Sequence, residues 1–104
     1  MRGEVLRGHL DLLILSVLSS DPGHGYLVVE RLKDRSSGVF GLGEGTVYPA
    51  LHRLERGGLL ASSWSTVDGR KRRVYRLTAR GRRELSARRD DWARFSKAMK
   101  AVVA

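Results

Sequence analysis

The chain contains no cysteine, only two prolines, and aromatic residues at 7% of its length. Without cysteine there can be no disulfide framework, no thiolate metal site and no cysteine nucleophile. The same absence suits a reducing cytosol, so a cytoplasmic location is expected. Long apolar runs are missing too. The one early stretch, Leu10–Leu18, includes Ser16 and is far too short to span a bilayer, and no signal peptide is recognisable. Acidic residues are scarce: 11 Asp and Glu stand against 20 Lys and Arg, a formal net charge of +9. Such an excess raises affinity for polyanions through counterion release, whatever the fold. Nucleic acid heads the possible partners on charge alone, with acidic proteins and anionic membrane surfaces also open. Most of the cations are arginine, whose planar fork suits phosphate and guanine edges; genomic base composition also explains such a bias.

Signs of catalysis or cofactor binding are equally sparse. His9, His24 and His52 are the only histidines, and no two have the three- or four-residue spacing that places metal ligands on one helix face. Serine, histidine and aspartate are present, but no spacing resembles a nucleophile elbow or an acid–base pair. Gly41, Gly43 and Gly45 alternate without the strand, helix and lysine of a phosphate loop. We therefore expect no enzyme, no cofactor and no metal.

At 104 residues the chain forms one unit, large enough to bury its own core. Residues 1–8 read as a short polar arm. Leu10, Leu13, Ile14, Val17 and Leu18 then recur at helical spacing and predict a helix with one buried stripe. Asp21-Pro22-Gly23 ends it. A second helix starts at His24-Gly25-Tyr26, turns Val28, Val29 and Leu32 inward, and stops near Ser36-Ser37-Gly38. His24 reads as a local hydrogen-bonding residue at that start. A third helix is expected from Thr46 as N-cap, with Pro49 in its first turn and Val47, Leu51 and Leu54 as its inner stripe. Gly57-Gly58 stops it. Leu59–Val67 and Lys71–Thr78 are β-rich and flank Asp68-Gly69, a strong hairpin signal. Thr78 can cap a last helix running to about Val102, roughly 35–40 Å long. The expected fold is mainly α with a small β-hairpin wing: a winged helix-turn-helix over residues 1–78, then a long C-terminal helix over 79–104.

A short helix followed at once by a basic ribbon offers one element to enter a DNA groove and one to lie on the adjacent backbone. The outer face of the third helix carries Thr46, Tyr48, Pro49, His52, Arg53 and Arg56. Thr46 and Tyr48 can bond phosphates or base edges, and Arg53 can reach a phosphate. Alternatively, this is a solvated face, with Tyr48 half-buried. Arg70, Lys71, Arg72 and Arg73 crowd the hairpin tip, where a polyanion would relieve their repulsion. Trp92, Phe95, Met99 and Val102 repeat at 3-4-3 spacing on the last helix, a seam that wants a partner helix. The same stripe also suits a ligand cavity on a two-fold axis, where Trp92 rings sandwich a flat molecule. The spacing accommodates either role.

Three segments carry a resemblance: GHLDLLILSVLSSDPGHGY at Gly8–Tyr26, GTVYPALHRLERGGLL at Gly45–Leu60, and Gly69–Thr78 followed by Gly81. Together they resemble the PadR family of bacterial transcriptional regulators, in its short branch with a single C-terminal helix. The resemblance implies double-stranded DNA as partner, a pseudo-palindromic operator, and a homodimer through the first and last helices. Leu10 and Ile14 would then join Trp92, Phe95, Met99 and Val102 at the interface. It further implies repression relieved by a small aromatic or cationic effector, with Trp92 as counterpart of the ligand-binding tryptophan of some relatives. A winged-helix adaptor for an acidic protein and a small RNA-binding module are the alternative readings.

Overall fold

In the computed structural model, which describes residues 5, 6 and 8–104, the first long helix is α1 (Leu10–Ser20). Of the arm expected over residues 1–8, residues 1–4 and 7 lie outside the described residues. Helix α1 buries Ile14, Leu15, Val17 and Leu18. Leu10 and Leu13 are only half-buried, and Leu15 takes the place in the core that spacing assigns to them. Asp11 sits in the first turn, where its charge complements the helix dipole. At the other end Arg31 reaches across to the Val17, Asp21 and Pro22 carbonyls, at 3.3, 2.8 and 3.1 Å. One guanidinium therefore satisfies acceptors at and just beyond the helix terminus.

Gly23–His24 forms a short strand, β1, which the sequence pattern does not predict. Helix α2 (Gly25–Arg35) follows at once, with His24 as N-cap: its Nδ1 accepts from the Leu27 amide at 3.3 Å. Val28 and Leu32 face the core. The chain leaves α2 through Ser37 and Gly38, at φ 52° and 85°.

Helix α3 (Glu44–Arg56) starts earlier than expected. Gly43, not Thr46, is its N-cap, and its carbonyl takes the Thr46 and Val47 amides at 3.1 Å each. Thr46 is thus the third helical residue. Pro49 falls in the second turn rather than the first. It removes the donor that would serve the Gly45 carbonyl, but Gly45 is exposed, so water can take that place. Val47, Ala50, Leu51 and Leu54 are buried. Gly58 closes the helix at φ 79°, and the Leu59 amide returns to the Leu54 carbonyl at 3.0 Å.

Strands β2 (Leu60–Val67) and β3 (Arg70–Leu77) pair antiparallel, with Val67 opposite Arg70. Both turn residues lie at positive φ, Asp68 at 51° and Gly69 at 75°, the conformation a two-residue type I′ hairpin requires. On its other edge β3 pairs with β1, so the sheet order is β1-β3-β2. Tyr75 and Leu77 turn into the core.

Thr78 then caps α4 (Ala79–Val103): its Oγ1 accepts from the Gly81 amide at 3.0 Å and donates to the Gly58 carbonyl at 2.7 Å. A Cβ at Gly81 would lie 2.0 Å from the Leu59 carbonyl oxygen, so the helix approaches β2 closely only because this residue is glycine. Leu85 seats the first turns of α4 in the core. The rest of the 25-residue helix projects, and the molecule measures 50 × 28 × 21 Å.

Candidate nucleic-acid interface

Helix α3 and the β2–β3 wing enclose a cleft of about 340 Å³. One wall is α3, through Tyr48, Leu51 and His52. The other is the wing, through Trp64, Lys71, Arg72, Arg73 and Tyr75, and His24-Gly25 closes the end. Residues from separate stretches of the sequence thus form one cationic and aromatic surface. The pairing of β1 with β3 causes this, because it sets the start of α2 beside the wing.

Within the cleft Tyr48 is wedged over Gly25. A Cβ at Gly25 would come within 2.0 Å of Tyr48 Cε1, so the ring fills the space a larger residue would take. Tyr48 is accordingly half-buried, while Thr46, Pro49, His52 and Arg53 are all exposed on the same helix. His24 is pushed below its usual pKa, first by burial and then by the charges of Arg72 and Arg31. A depressed pKa keeps its Nδ1 available as the α2 cap. Burial and the nearby Glu55 carboxylate push Tyr75 above the usual phenol range, so it stays protonated.

Arg53 is not a free cation. Its guanidinium forms two bonds to the Asp11 carboxylate of α1, at 2.6 and 2.9 Å. Arg88 of α4 lies 3.7 Å from the same carboxylate and bonds Glu84 at 2.8 Å. Asp11 thus ties α1 to both α3 and α4. The hydrogen bond from Arg53 holds its carboxyl below the usual range, with burial opposing and the Arg53 and Arg88 charges assisting. The expected reach of Arg53 to a phosphate therefore competes with a carboxylate of its own chain, although the guanidinium stays about half exposed.

The four wing cations also differ from one another. Arg70 and Lys71 are exposed and Arg72 is half-buried. Arg73 is held: its Nε donates to Ser62 Oγ at 2.7 Å, its terminal nitrogen lies 3.6 Å from Glu55, and its guanidinium stacks 5.7 Å from the Trp64 ring centroid. Sequence reasoning misses Trp64 and Asp11. The hairpin register offers a usable signal for Trp64, since counting back from Asp68-Gly69 places it opposite Arg73.

The residues expected at an assembly surface separate into two groups. Ile14 is fully buried in the core of its own chain, which corrects its assignment to an interface. Leu10 is half-buried. Trp92, Phe95, Met99 and Val102 are 49%, 52%, 47% and 84% exposed, an apolar strip along α4. Trp92 sits between two hollows. One of about 200 Å³ is lined by His9, Arg88 and Phe95 among others; the second, of about 470 Å³, is lined chiefly by Val5, Leu6, Leu12, Leu13 and Phe40. Among the described residues no group of three or more potential ligands is placed to hold a metal ion. No described helix is long and apolar enough to cross a membrane.

The order of these elements, three helices, a wing and a projecting final helix, matches a defined pattern. The signature of the transcriptional regulator PadR-like family fits residues 14–87. The chain belongs to the PadR family. It is 41% identical over 83 residues to the transcriptional regulator Rv3488 of Mycobacterium tuberculosis, covering 80% of this chain and 75% of that one. A transcriptional regulator from Clostridium thermocellum superposes with a TM-score of 0.90 at 26% identity, over 100% of this chain and 99% of that one. A PadR family regulator from Clostridium difficile superposes at 0.81 with 32% identity, over 92% and 99% of the two chains. PadR proteins are transcriptional regulators, not enzymes, and this chain is one of them by sequence and by fold.

Proposed function

We propose that this PadR protein is a sequence-specific DNA-binding repressor that acts as a homodimer on a pseudo-palindromic operator. The observation that carries the reading is the cleft between α3 and the wing, where Lys71, Arg72 and Arg73 face the helix that bears Tyr48 and His52. An α-helix fits the major groove, and cations beside it suit the adjoining phosphates. Thr46, Tyr48, Pro49 and His52 form the reading face. Arg70, Lys71, Arg72 and Arg73 form the backbone grip. Arg53, held by Asp11, positions α3 against α1.

Residues 79–104 serve in this reading as the dimerisation segment, through Trp92, Phe95, Met99 and Val102, with half-buried Leu10 at the edge. A two-fold dimer reads an inverted repeat, with half-sites about one helical turn or a multiple apart. The hollows beside Trp92 suit a flat aromatic or cationic effector, which would gain stacking and cation–π energy there. Such a ligand releases DNA only if it prefers a dimer whose reading helices are wrongly spaced.

The test is binding by the full chain, across a salt series, to a duplex from the region upstream of its own gene. A scrambled duplex and an RNA of the same sequence serve as controls. Tighter binding to the upstream duplex, falling steeply as salt rises, is the expected result. Equal binding to RNA would favour an RNA module. Failure on every nucleic acid, with capture of an acidic protein, would favour an adaptor.

A further inference from the structure

Trp64 stands 63% exposed on the wing, sheltered in part by the Arg73 guanidinium. The indole face turned to water contributes little to the fold. Its setting is nonetheless ordered. Arg73, its direct cross-strand neighbour, stacks on the ring, and Arg73 is itself fixed by Ser62 and Glu55. The ring lines the same cleft as Tyr48 and His52 of α3. Lys71 and Arg73 share its face of the wing and Arg72 lines the same cleft, so a second copy of this face would be repelled and a polyanion attracted. An occupant must therefore offer anionic groups alternating with apolar surface, at the spacing of neighbouring side chains. A nucleic-acid strand does so, with phosphates on either side of each sugar.

We propose that Trp64 contacts DNA: its indole packs on a deoxyribose of the strand whose flanking phosphates are gripped by Lys71 and Arg72. Arg73, besides its place in the backbone grip, is the positioning residue that orients the ring. The inference rests on the DNA-binding reading and adds to it a salt-independent component of affinity. Ionic contacts release counterions and set the salt slope; an apolar contact does not. The wing would then grip by two mechanisms that respond differently to salt.

Three variants of the full chain separate them. Trp64→Ala should weaken binding to the upstream duplex about tenfold at every salt concentration, with the slope unchanged, and Trp64→Phe should recover most of the loss. Arg72→Ala should instead lower the slope by about one unit. In a Trp92→Phe background Trp64 is the sole tryptophan, and its fluorescence should change in step with DNA binding. This optical readout decides the matter even if Trp64→Ala folds poorly. Several results would overturn the contact while leaving DNA binding intact. These are unaltered affinity in Trp64→Ala, fluorescence unmoved by bound duplex, or a lowered slope that Phe does not restore, which would mean that Trp64 only holds Arg73. A change in sedimentation of Trp64→Ala without DNA would assign the ring to self-association instead. If the unmodified chain binds no duplex, the DNA reading itself fails and this contact falls with it.

Discussion

At the scale of single residues, two glycines set the geometry of the cleft and its support. The obstruction at Gly25 is a tyrosine ring, and the obstruction at Gly81 is a backbone carbonyl, both 2.0 Å from where a Cβ would stand. A ring on two torsions can swing aside; the Leu59 carbonyl, just before β2 and bonded by the Thr78 amide, cannot. Gly81→Ala should therefore lose about 3 kcal/mol of stability and Gly25→Ala nearer ~1 kcal/mol, as measured by denaturant melts. Their effects on DNA should rank the other way once corrected for folding, because Gly25→Ala displaces Tyr48 from the cleft wall. Equal stability losses would show that α4 can shift away from β2 more easily than the packing implies. Neither close approach is legible in the sequence, where both residues read as ordinary helix-start glycines. The groups that make them obligatory lie far along the chain.

At the scale of elements, most of the pattern can be read and the exceptions have physical causes. The apolar periodicity of α1 and α2, the Asp68-Gly69 turn and the Thr78 cap all follow from local chemistry, and the structure has them. The start of α3 is misplaced by sequence because Thr46 is a good cap by side chain, whereas Gly43 caps through its backbone alone. Strand β1 escapes prediction because two residues carry no periodic signal; it exists only because β3 lies beside it. Arg53 looks free in the sequence because its partner lies 42 positions away on another helix. That pair has a pH signature. The Asp11 carboxyl is held below its usual value, mainly by the bond from Arg53. A depressed carboxyl stabilises the fold above the unfolded-state value, near pH ~4, and the contribution is lost as pH falls through the lower folded value. Asp11→Asn should thus cost about 0.5–1 kcal/mol at neutral pH, a figure kept small by the exposure of Arg53, and the difference from wild type should vanish in acid. A gap between the two proteins that persists at about pH 2 would mean Asp11 acts through packing and not charge. The wing makes a separate prediction. Changing Arg72 and Arg73 together to alanine should weaken binding to all duplexes alike and reduce the salt slope by about one unit for each phosphate no longer neutralised. An unchanged slope would mean the run Arg70–Arg73 is merely solvated.

At the scale of the whole molecule, the projecting half of α4 is the unsolved packing problem. Four large apolar side chains, Trp92, Phe95, Met99 and Val102, lie on it about half exposed or more, outside the core that the other helices bury. Pairing that strip with its own copy buries apolar surface at about 25 cal/mol per Å², whereas the chain's own neighbours leave Trp92 and Phe95 about half exposed. The charge distribution also permits it, since Glu84, Asp90 and Asp91 interleave with the arginines of α4 and blunt the repulsion between two helices. We therefore expect a dimer by sedimentation at micromolar concentration, and Phe95→Asp should split it by placing an unpaired charge in the seam. The monomer should keep its fold, because Leu85 and the Thr78 cap anchor α4 upstream of the change. Its operator affinity should nevertheless collapse, because the second half-site is no longer bound at the high effective concentration that a linked subunit provides. The role of Trp92 is separable within the same experiment. If it lines a ligand cavity, flat aromatic cations should quench its fluorescence, and Trp92→Ala should abolish their binding while the dimer persists. If Trp92→Ala instead dissociates the dimer, and no flat ligand quenches the unmodified protein, the ring is interface core and the effector part of the proposal is wrong. An unmodified chain that sediments as a monomer would remove the two-fold operator as well, since one α3 and one wing reach a single half-site.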